Sequence, residues 1–485
     1  MNIKTIGFYI GHILRLLALL MAPALLIALV NHETAALFGF GVTIAAILAA
    51  GCALLALRRP SEGGIRPREG YLTVALGWIL ISLLGALPFL LSGAIPNFMD
   101  CWFETVSGFT TTGATILKDV EALPQSLLYW RSFTHWIGGM GVLVFVLAIV
   151  PMSKGNGESV HLLRAESPGP SVGKLTPTMG STARILYLIY IGLTVLLIVL
   201  LLLGGMPLFD SLVHAFGTAG TGGFSIKNSS IAAYPSYYLQ TVIGVFMALF
   251  GVNFNLFYFI LIGKAAQALK SEEFRAYVGI MLGAVLIVAA NILPLYGNVK
   301  DALHQSFFQV SSIMTTTGYS TADFDKWPEL SRMILLGLMI IGASAGSTGG
   351  GMKVARVVIL IKSLKTETRH MLRPRQVEAV RMDGKKLDGY VVRGVYSFTA
   401  AYVVICGLSM LLVALDNFDF TTTVSSVLAC IGNIGPGLNL VGPMGNYSGF
   451  SHLGKFVLSM DMLFGRLEIF PMILLFSPVV WKRQV

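Results

Sequence analysis

The sequence predicts an all-α polytopic membrane protein, in which four pseudo-symmetric helix–pore-loop–helix units surround a central pore and two extra transmembrane helices precede them. Three observations lead to this fold class. Hydrophobic residues make up 55% of the 485 residues and charged residues only 12%, a composition typical of chains with many membrane spans. Long apolar stretches recur from one end of the chain to the other. Four short polar runs rich in Thr and Gly interrupt these stretches at similar intervals.

The two leading spans occupy residues 1–70 together with a basic loop. Each apolar stretch, Ile6–Val30 and Ala35–Leu57, is long enough to cross the hydrocarbon core. The first one lacks an Ala-x-Ala exit and is too long for a signal peptide, so we interpret it as a true membrane span. No polar run of the Thr/Gly type lies between the two spans.

Four units then repeat one plan: a span, a short amphipathic segment, a polar run and a second span. We place unit 1 at 71–183, unit 2 at 184–275, unit 3 at 276–388 and unit 4 at 389–485. The predicted pairs of spans, in chain order, are Tyr71–Ser92 with Leu127–Pro151, Ile185–Gly204 with Tyr237–Gly263, Tyr277–Leu295 with Met333–Lys362, and Tyr390–Leu415 with Phe450–Trp481.

The basic residues indicate the orientation of these roughly ten spans. The net charge is +10, but Lys and Arg gather in alternate loops, which is the positive-inside pattern and not the mark of a nucleic-acid-binding surface. With the basic loops in the cytoplasm, both chain ends are predicted to be cytoplasmic. The basic residues are Arg58, Arg59, Arg66 and Arg68; Lys154, Arg164, Lys174 and Arg184; Lys264, Lys270 and Arg275; and, between Lys353 and Lys386, Arg369, Arg373, Arg375, Arg381 and Lys385.

The polar runs carry the chemistry of a cation pathway. Backbone leaves its helix at membrane depth only where it is buried in protein or lines a water-filled cavity. Rings of carbonyl oxygens replace the hydration water of K+, and Gly permits the backbone angles that such rings need. The candidate filter residues are Thr111, Thr112, Gly113 and Ala114; Gly220, Thr221, Gly222, Gly223 and Phe224; Thr316, Thr317, Gly318 and Tyr319; and Asn433, Ile434, Gly435 and Pro436.

The four runs share a register. Gly113, Gly318 and Gly435 fix it in three units, whereas Gly222 and Gly223 both fit in the second. Nine residues before each glycine (counting from Gly223 in unit 2) stands a polar residue: Glu104, His214, Gln309 and Ser426. An Asp lies near the start of each preceding segment: Asp100, Asp210, Asp301 and Asp419. These aspartates are predicted to cap the short helices, and an added role in drawing cations to the outer mouth is compatible with capping.

On these runs the chain resembles the Trk/Ktr/HKT superfamily of K+ transport proteins from Tyr71 to its end. The two extra leading spans are similar to the Trk branch of bacteria, the TrkH/TrkG type. The resemblance implies K+ (and Rb+) permeation and not Na+ preference, because the first filter position is Gly113 and not serine. The fourth run departs from the Thr-Thr-Gly pattern, with Asn433 and Ile434 in place of the threonines.

Further properties are implied by the resemblance alone. They are K+ as the bound permeant ion with no organic cofactor, a homodimer, and a cytosolic nucleotide-binding regulatory subunit that forms a TrkA-like ring. The basic cytoplasmic loops are candidate docking surfaces for that subunit. The expected location is the bacterial inner (plasma) membrane.

A glycine-rich stretch inside the second span of unit 3 is a candidate gate. Glycine costs about 1 kcal/mol against alanine in a helix, so its density here favours an irregular intramembrane loop. Close helix packing through small residues is the alternative. In the resembled family, such a loop and a basic residue of the last span obstruct the pathway. The candidate gate residues are Ser344, Ala345, Gly346, Ser347, Thr348, Gly349, Gly350, Gly351 and Arg466.

Arg466 is the basic residue of that last span. A charge deep in a span costs at least about 2.5–3.5 kcal/mol, so it should face the cavity and have a partner. We expect it to form the gate with the loop; a purely structural ion pair with Glu468 or Asp461 is the alternative.

An enzyme and a coupled symporter are the two alternatives to a gated pore. The sequence contains neither H-E-x-x-H nor G-x-x-x-x-G-K-[ST], which disfavours a metalloprotease and a self-powered ATPase, and we expect no enzyme. An H+- or Na+-coupled K+ symporter using the same filter is the serious alternative to gated diffusion. Symporters usually carry a buried ionisable relay, for which Asp461 is the main candidate.

Overall fold

The computed structural model describes residues 3–57, 67–141, 179–373 and 379–481. Its regular structure is almost entirely helical, which confirms the predicted all-α class. Long aliphatic side chains such as Leu19, Leu203 and Leu411 lie exposed on the periphery, whereas Thr112 and Thr317 are fully buried. Apolar residues outside and polar residues inside are the arrangement expected of a protein surrounded by lipid.

The leading pair consists of α1 (Ile3–Val30) and α2 (Thr34–Leu57), which pack against each other. Between them stands Glu33, whose carboxylate accepts hydrogen bonds from the amides of Gln125 (2.9 Å) and Ser126 (3.2 Å). These amides open the second helix of unit 1, where the preceding Pro124 has no side-chain acceptor to offer. The leading pair therefore supplies the N-terminal cap of a unit 1 helix.

Units 1 and 2 follow the predicted plan, with a short helix before each polar run. The helices of unit 1 are α3 (Pro67–Gly85), α4 (Leu87–Leu91), α5 (Phe98–Phe109) and α6 (Gln125–Gly139). Those of unit 2 are α7 (Met179–Leu203), α8 (Leu208–Ala219), α9 (Tyr237–Phe250), α10 (Phe254–Leu261) and α11 (Ala265–Lys270), with a 3-10 turn at Ser230–Ala233.

Units 3 and 4 repeat the plan. Unit 3 contains α12 (Glu272–Tyr296), α13 (Val299–Met314), α14 (Glu329–Ile341) and α15 (Val354–Leu372), with a 3-10 turn at Phe324–Lys326. Unit 4 contains α16 (Gly389–Val413), α17 (Phe420–Gly432), α18 (His452–Arg466), α19 (Phe470–Phe476) and α20 (Pro478–Trp481), with 3-10 turns at Ala414–Asp416 and Asn439–Val441. We call α5, α8, α13 and α17 the pore helices.

Six helices of the described residues are long and apolar enough to cross a membrane: α1, α2, α3 with α4, α7, α12 and α16. The second spans of units 2 and 4, predicted as continuous, are broken. Helices α9 and α10 meet at an angle of 95°, because the Asn253 side chain accepts from Asn255 N and starts a new helix. Helix α18 ends before Glu468 and Ile469, which have positive φ angles of 56° and 67°.

Two further spans differ from prediction. The first span of unit 1 is divided at Ala86 into α3 and α4, because Pro88 cannot continue the hydrogen-bond ladder of α3, although the two helices together form one candidate span. The second span of unit 1 begins at Gln125 as expected, but its predicted part beyond Gly141 lies outside the described residues. So do these basic residues used for the orientation: Arg58, Arg59, Arg66, Lys154, Arg164, Lys174 and Arg375.

A two-stranded antiparallel hairpin links units 3 and 4, and the sequence analysis missed it. Strands β1 (Arg381–Met382) and β2 (Lys385–Lys386) pair through Met382 and Lys385. The turn residues Asp383 and Gly384 have φ angles of 50° and 75°. An Asp-Gly pair with two positive φ angles is the preferred two-residue hairpin turn, so the signal was present in the sequence.

Candidate functional site

Each pore helix ends in the same backbone motif. A residue with φ between 53° and 60° closes the helix, and a glycine with φ between 76° and 88° follows two positions later. The intervening amide bonds to the carbonyl five residues back, at 2.8–2.9 Å in all four units. The closing residues are Thr111, Thr221, Thr316 and Asn433, and the glycines are Gly113, Gly223, Gly318 and Gly435. The motif resolves the register of the second run, where Gly223 and not Gly222 is equivalent to Gly113.

The four runs contact one another in a closed ring. A Cβ atom at Gly113 would collide with the carbonyl oxygen of Gly222, and one at Gly223 with that of Thr317. The same relation holds from Gly318 to Ile434, and from Gly435 back to Thr112. The order of contacts is therefore unit 1 to 2 to 3 to 4 and back to 1. Both the positive φ and the close approach require glycine at these positions.

Hydroxyl groups form a layer next to the ring. The side chains of Thr110 and Thr112 hydrogen-bond at 2.8 Å in unit 1, and Thr315 and Thr317 repeat this bond at 2.8 Å in unit 3. In unit 4 the amide of Asn433 donates to Thr112 Oγ1 at 3.0 Å. The irregular fourth run thus connects its side chain to the first run where threonine stands in the others.

The polar residue nine positions before the glycine holds the segment after the run in three units. Glu104 accepts from Thr115 Oγ1 (2.9 Å) and Ile116 N (3.0 Å). His214 bonds to Ser225 Oγ at 3.0 Å, and the amide of Gln309 lies against Thr321 and Ala322. The equivalent in unit 4 is different: Ser426 bonds within its own helix, and its neighbour Ser425 accepts from Leu438 N at 2.9 Å.

Arg131 is a site residue that the sequence analysis missed. Its buried guanidinium donates to Glu104 at 2.6 Å and to the carbonyl of Ser225 at 3.0 Å, and it stacks 3.5 Å from the centre of the Phe224 ring. It therefore joins the segments that follow the runs of units 1 and 2. A signal existed, since Arg131 is a charged residue inside a predicted span, the same rule that singled out Arg466.

His135 also connects units 1 and 2. Its ring is buried and bonds through Nδ1 to the carbonyl of Gly108 at 2.7 Å, while Nε2 accepts from Phe224 N at 3.3 Å. A Cβ atom at Gly222 would collide with this ring, which explains the second glycine of the Gly222-Gly223 pair.

A vestibule of about 170 Å³ opens above the ring. Its lining includes all four glycines of the motif, Gly113, Gly223, Gly318 and Gly435. Polar residues among its lining include Ser225, Ser230, Ser320 and Asn446. The runs of the four units thus meet at the floor of one polar cavity.

Of the four predicted capping aspartates, only Asp419 caps its helix, by accepting from Thr422 N at 3.0 Å. The prediction is wrong for Asp100, Asp210 and Asp301, which lie within the first turn. Asn97 and Asn298 cap α5 and α13, whereas α8 starts at Pro207 without a side-chain cap. These three carboxylates still lie at the positive ends of their helices. Their hydrogen-bond partners are Lys455 for Asp100 (2.6 Å), Tyr234 for Asp210 (2.7 Å) and Tyr237 for Asp301.

The glycine-rich stretch is an irregular loop of residues 342–353 between α14 and α15, which confirms the predicted break in this span. It contacts three units directly below the ring. Gly350 N donates to Thr316 Oγ1 at 2.6 Å and Gly351 N to the carbonyl of Gly432 at 2.9 Å. Ser344 N donates to the carbonyl of Gly251 at 3.0 Å, where the broken second helix of unit 2 ends.

Arg466 completes the contact with unit 1. Its guanidinium donates to Thr348 O of the loop at 2.9 Å, to Thr111 Oγ1 at 3.3 Å and to the carbonyls of Gly138 and Gly139, the latter at 2.7 Å. Thr111 is the closing residue of the first pore helix. The Arg466 side chain therefore lies between the ring and the end of α6.

The carboxylates considered as its ion-pair partners bond to other residues. Glu468 forms an ion pair with Arg356, which also stacks 3.8 Å from the centre of the Phe398 ring. Asp461 accepts from Ser409 Oγ at 2.6 Å. Neither contact is a bond to Arg466, whose hydrogen bonds named above reach carbonyl and hydroxyl oxygens.

The ligands that the ring can offer to an ion are uncharged oxygen atoms. Among the residues described, no group of three or more His, Cys, Asp or Glu side chains lies close enough to hold a metal ion. Carbonyl and hydroxyl oxygens at the ring are neutral ligands, and rings of carbonyl oxygens are a means of replacing the hydration shell of a cation.

Comparison with known proteins agrees with this geometry. The family model TrkH, described as a cation transport protein, matches residues 38–483. The TrkH potassium uptake protein of Salmonella typhimurium is 35% identical over 491 residues, with 100% of both chains covered. The TrkG potassium uptake protein of Escherichia coli is 33% identical over 486 residues, with 99% of both covered.

A solved structure extends the likeness to three dimensions. The crystal structure of the potassium transporter TrkH from Vibrio parahaemolyticus superposes with a TM-score of 0.88 at 34% identity. It covers 99% of this chain and 100% of that one. The chain belongs to the TrkH family of cation transport proteins.

Proposed function

We propose that this chain takes up K+ (and Rb+) across the bacterial inner membrane through a selective filter formed by the four polar runs. The closed ring of Gly113, Gly223, Gly318 and Gly435, at the floor of a polar vestibule, is the observation that carries the proposal. The preceding carbonyl oxygens replace the hydration water of K+, at a spacing that a smaller ion fills less well. The printed names of the relatives, potassium uptake proteins, support the choice of ion.

The proposed gate is the loop from Ser344 to Gly351 together with Arg466. Both contact closing residues of pore helices, Thr316 and Thr111, directly below the ring. A guanidinium at this position repels a cation leaving the filter, and the loop fills the space beneath it. Opening therefore requires the loop and Arg466 to move away together.

Regulation and assembly belong to the same proposal. A cytosolic nucleotide-binding subunit, a TrkA-like ring, controls the gate, and two copies of the chain form a homodimer with one pathway each. The support for the subunit is the Trk system named in the relatives and the basic residues of the loops predicted to be cytoplasmic, such as Arg369 and Arg381. The support for the dimer is the resemblance alone.

The test is uptake of radiolabelled Rb+ into liposomes that contain the purified protein, with a K+ gradient as the sole driving force. We expect uptake without any added H+ or Na+ gradient. Uptake that appears only when a second ion gradient is imposed would instead establish the coupled symporter. Asp461 favours that second candidate, because it is a buried carboxylate whose Oδ2 has no hydrogen-bond partner.

A further inference from the structure

Glu273, at the start of α12, contacts the intramembrane loop. Its buried carboxylate accepts from Ala345 N at 2.6 Å, in the first half of the loop. The same side chain lies close to the amide of Ala355, at the start of α15, and to Lys353, at the end of the loop. Glu273 thus bonds to the first half of the loop and lies near its end.

These contacts are stronger than ordinary hydrogen bonds. A carboxylate that accepts from backbone amides forms charge-assisted bonds, about twice as strong as neutral ones. The amide of Ala355 also belongs to the positive end of α15, which favours a negative charge beside it. The loop is therefore fixed by a residue of a different helix, in addition to its contacts with the ring.

The neighbouring residue, Glu272, connects the same helix start to the cytoplasmic hairpin. Glu272 N donates to Asp383 Oδ1 at 2.7 Å, in the hairpin turn. Its carboxylate forms an ion pair with Lys362 of α15, and Lys362 also donates to the carbonyl of Arg381 at 2.8 Å. Glu272 and Glu273 are adjacent, so the start of α12 contacts both the hairpin and the loop.

We infer that Glu273 is a positioning residue that holds the intramembrane loop in place, and that the hairpin at 381–386 acts on it through Asp383. This inference rests on the proposed function, since it assigns a cause to the position of the gate. Loss of the Glu273 contacts releases the loop, whereas loss of the Asp383 contact releases it in part.

The test uses the full chain in liposomes and the variants Glu273→Gln, Asp383→Ala and the double variant. We expect Glu273→Gln to speed Rb+ uptake about fivefold or more, the lower range of measured coupling between sites. Asp383→Ala should give a smaller increase, and the double variant should match Glu273→Gln, because both residues act on one element. Discrimination between K+ and Na+ should stay unchanged, since the ring is untouched.

The matched control is Glu367→Gln, which removes an exposed charge on α15. It should not change uptake. Asp383→Ala alters an exposed turn, so it keeps the test decisive if Glu273→Gln gives no folded protein.

A second measurement separates this inference from the proposed function. Ser347 lies in the loop and is buried, so a cysteine there reports loop position by its rate of labelling with a cytoplasmic thiol reagent, after Cys52→Ser removes the exposed native thiol. We expect Glu273→Gln to speed labelling by a similar factor, whether or not Rb+ is taken up. Labelling at the rate of the Glu367→Gln control would overturn the inference. Absence of Rb+ uptake in the wild type and in Arg466→Ala would instead overturn the proposed function.

Discussion

At the scale of single residues, the buried Arg131 and the half-buried Arg466 lie on opposite sides of the ring. Arg131 lies above the ring and is neutralised by Glu104 at 2.6 Å, so its charge is part of the scaffold. Arg466, below the ring, donates to carbonyl and hydroxyl oxygens of the intramembrane loop, of Thr111 and of Gly139. The same residue type thus joins different segments of the chain on the two sides of the ring.

Arg466→Ala is expected to raise Rb+ flux into liposomes, because it removes both the positive charge and the bond to Thr348 of the loop. The measurement is the initial rate of Rb+ uptake by purified protein that elutes as a single species. Arg393→Ala, at an exposed position of α16, is the control and should leave the rate unchanged. Unchanged or lower flux in folded Arg466→Ala would contradict the role of the residue in the gate.

Breaking the Glu104–Arg131 pair should destabilise the protein strongly. Both side chains are almost completely buried, so Glu104→Gln leaves a charge without its partner, at a cost of about 3–5 kcal/mol. Thermal unfolding in detergent measures the loss. Lys227→Gln, in the exposed pair with Glu121, is the matched control and should change stability little. An equal shift in both variants would argue against a special role for the buried pair.

At the scale of elements, the second helix is interrupted in units 2, 3 and 4. The intramembrane loop is the interruption in unit 3, and the breaks in units 2 and 4 lie next to it. The break after α9 offers the carbonyl of Gly251 to Ser344, and the first amide of α10 (Phe254 N) donates to the carbonyl of Gly346 at 3.0 Å. Glu468 lies in the break in unit 4, between α18 and α19, and pairs with Arg356, just after the loop. The interruptions supply free backbone groups, and these hold an irregular loop at membrane depth.

Gly346→Ala is expected to strain the loop and increase Rb+ flux. Gly346 has a φ of 68°, and an added Cβ would lie 3.0 Å from Asn253 Oδ1. The strain of about 1 kcal/mol or more weakens the bond between the loop and α10. Gly283→Ala, a position of α12 with open space around it, is the control and should leave flux unchanged. Equal rates in the two variants would mean that the loop does not limit flux.

At the scale of the whole molecule, the ring depends on all four units at once. Each glycine packs against the carbonyl of the next unit, so no unit can complete its part of the ring alone. Contacts above the ring connect the units as well: Val120 N donates to Asn228 Oδ1 at 2.8 Å, and Tyr447 N donates to the carbonyl of Thr115 at 2.8 Å. All four repeats of the sequence are therefore needed to close the ring.

Replacement of any one glycine of the ring by alanine or serine should therefore lower the discrimination between K+ and Na+, with Gly113→Ser as the most informative case. The measurement is competition of K+ and Na+ with Rb+ uptake. Gly297→Ala is the matched control, since Gly297 has a φ of 65° but nothing within 4 Å of an added Cβ. Loss of discrimination in only one of Gly113, Gly223, Gly318 and Gly435 would contradict a ring to which all four contribute.

The sequence by itself determined the fold class, the four polar runs and the break in the second span of unit 3. These features follow from local composition: apolar length sets a span, and glycine density breaks a helix. Even the break after α9 had a local signal, because Asn253 is a good N-terminal cap. The two glycines of the second run carried no such signal, and their local chemistry left Gly222 and Gly223 equivalent.

Tertiary structure alone decided which residues meet. Gly223 and not Gly222 belongs to the ring because Gly222 is packed against the His135 ring of another unit. Glu468 pairs with Arg356, at a distance of 112 residues along the chain, and not with its near neighbour Arg466. Hydrogen bonds and ion pairs between distant segments depend on the packing of all four units, and local sequence does not encode them.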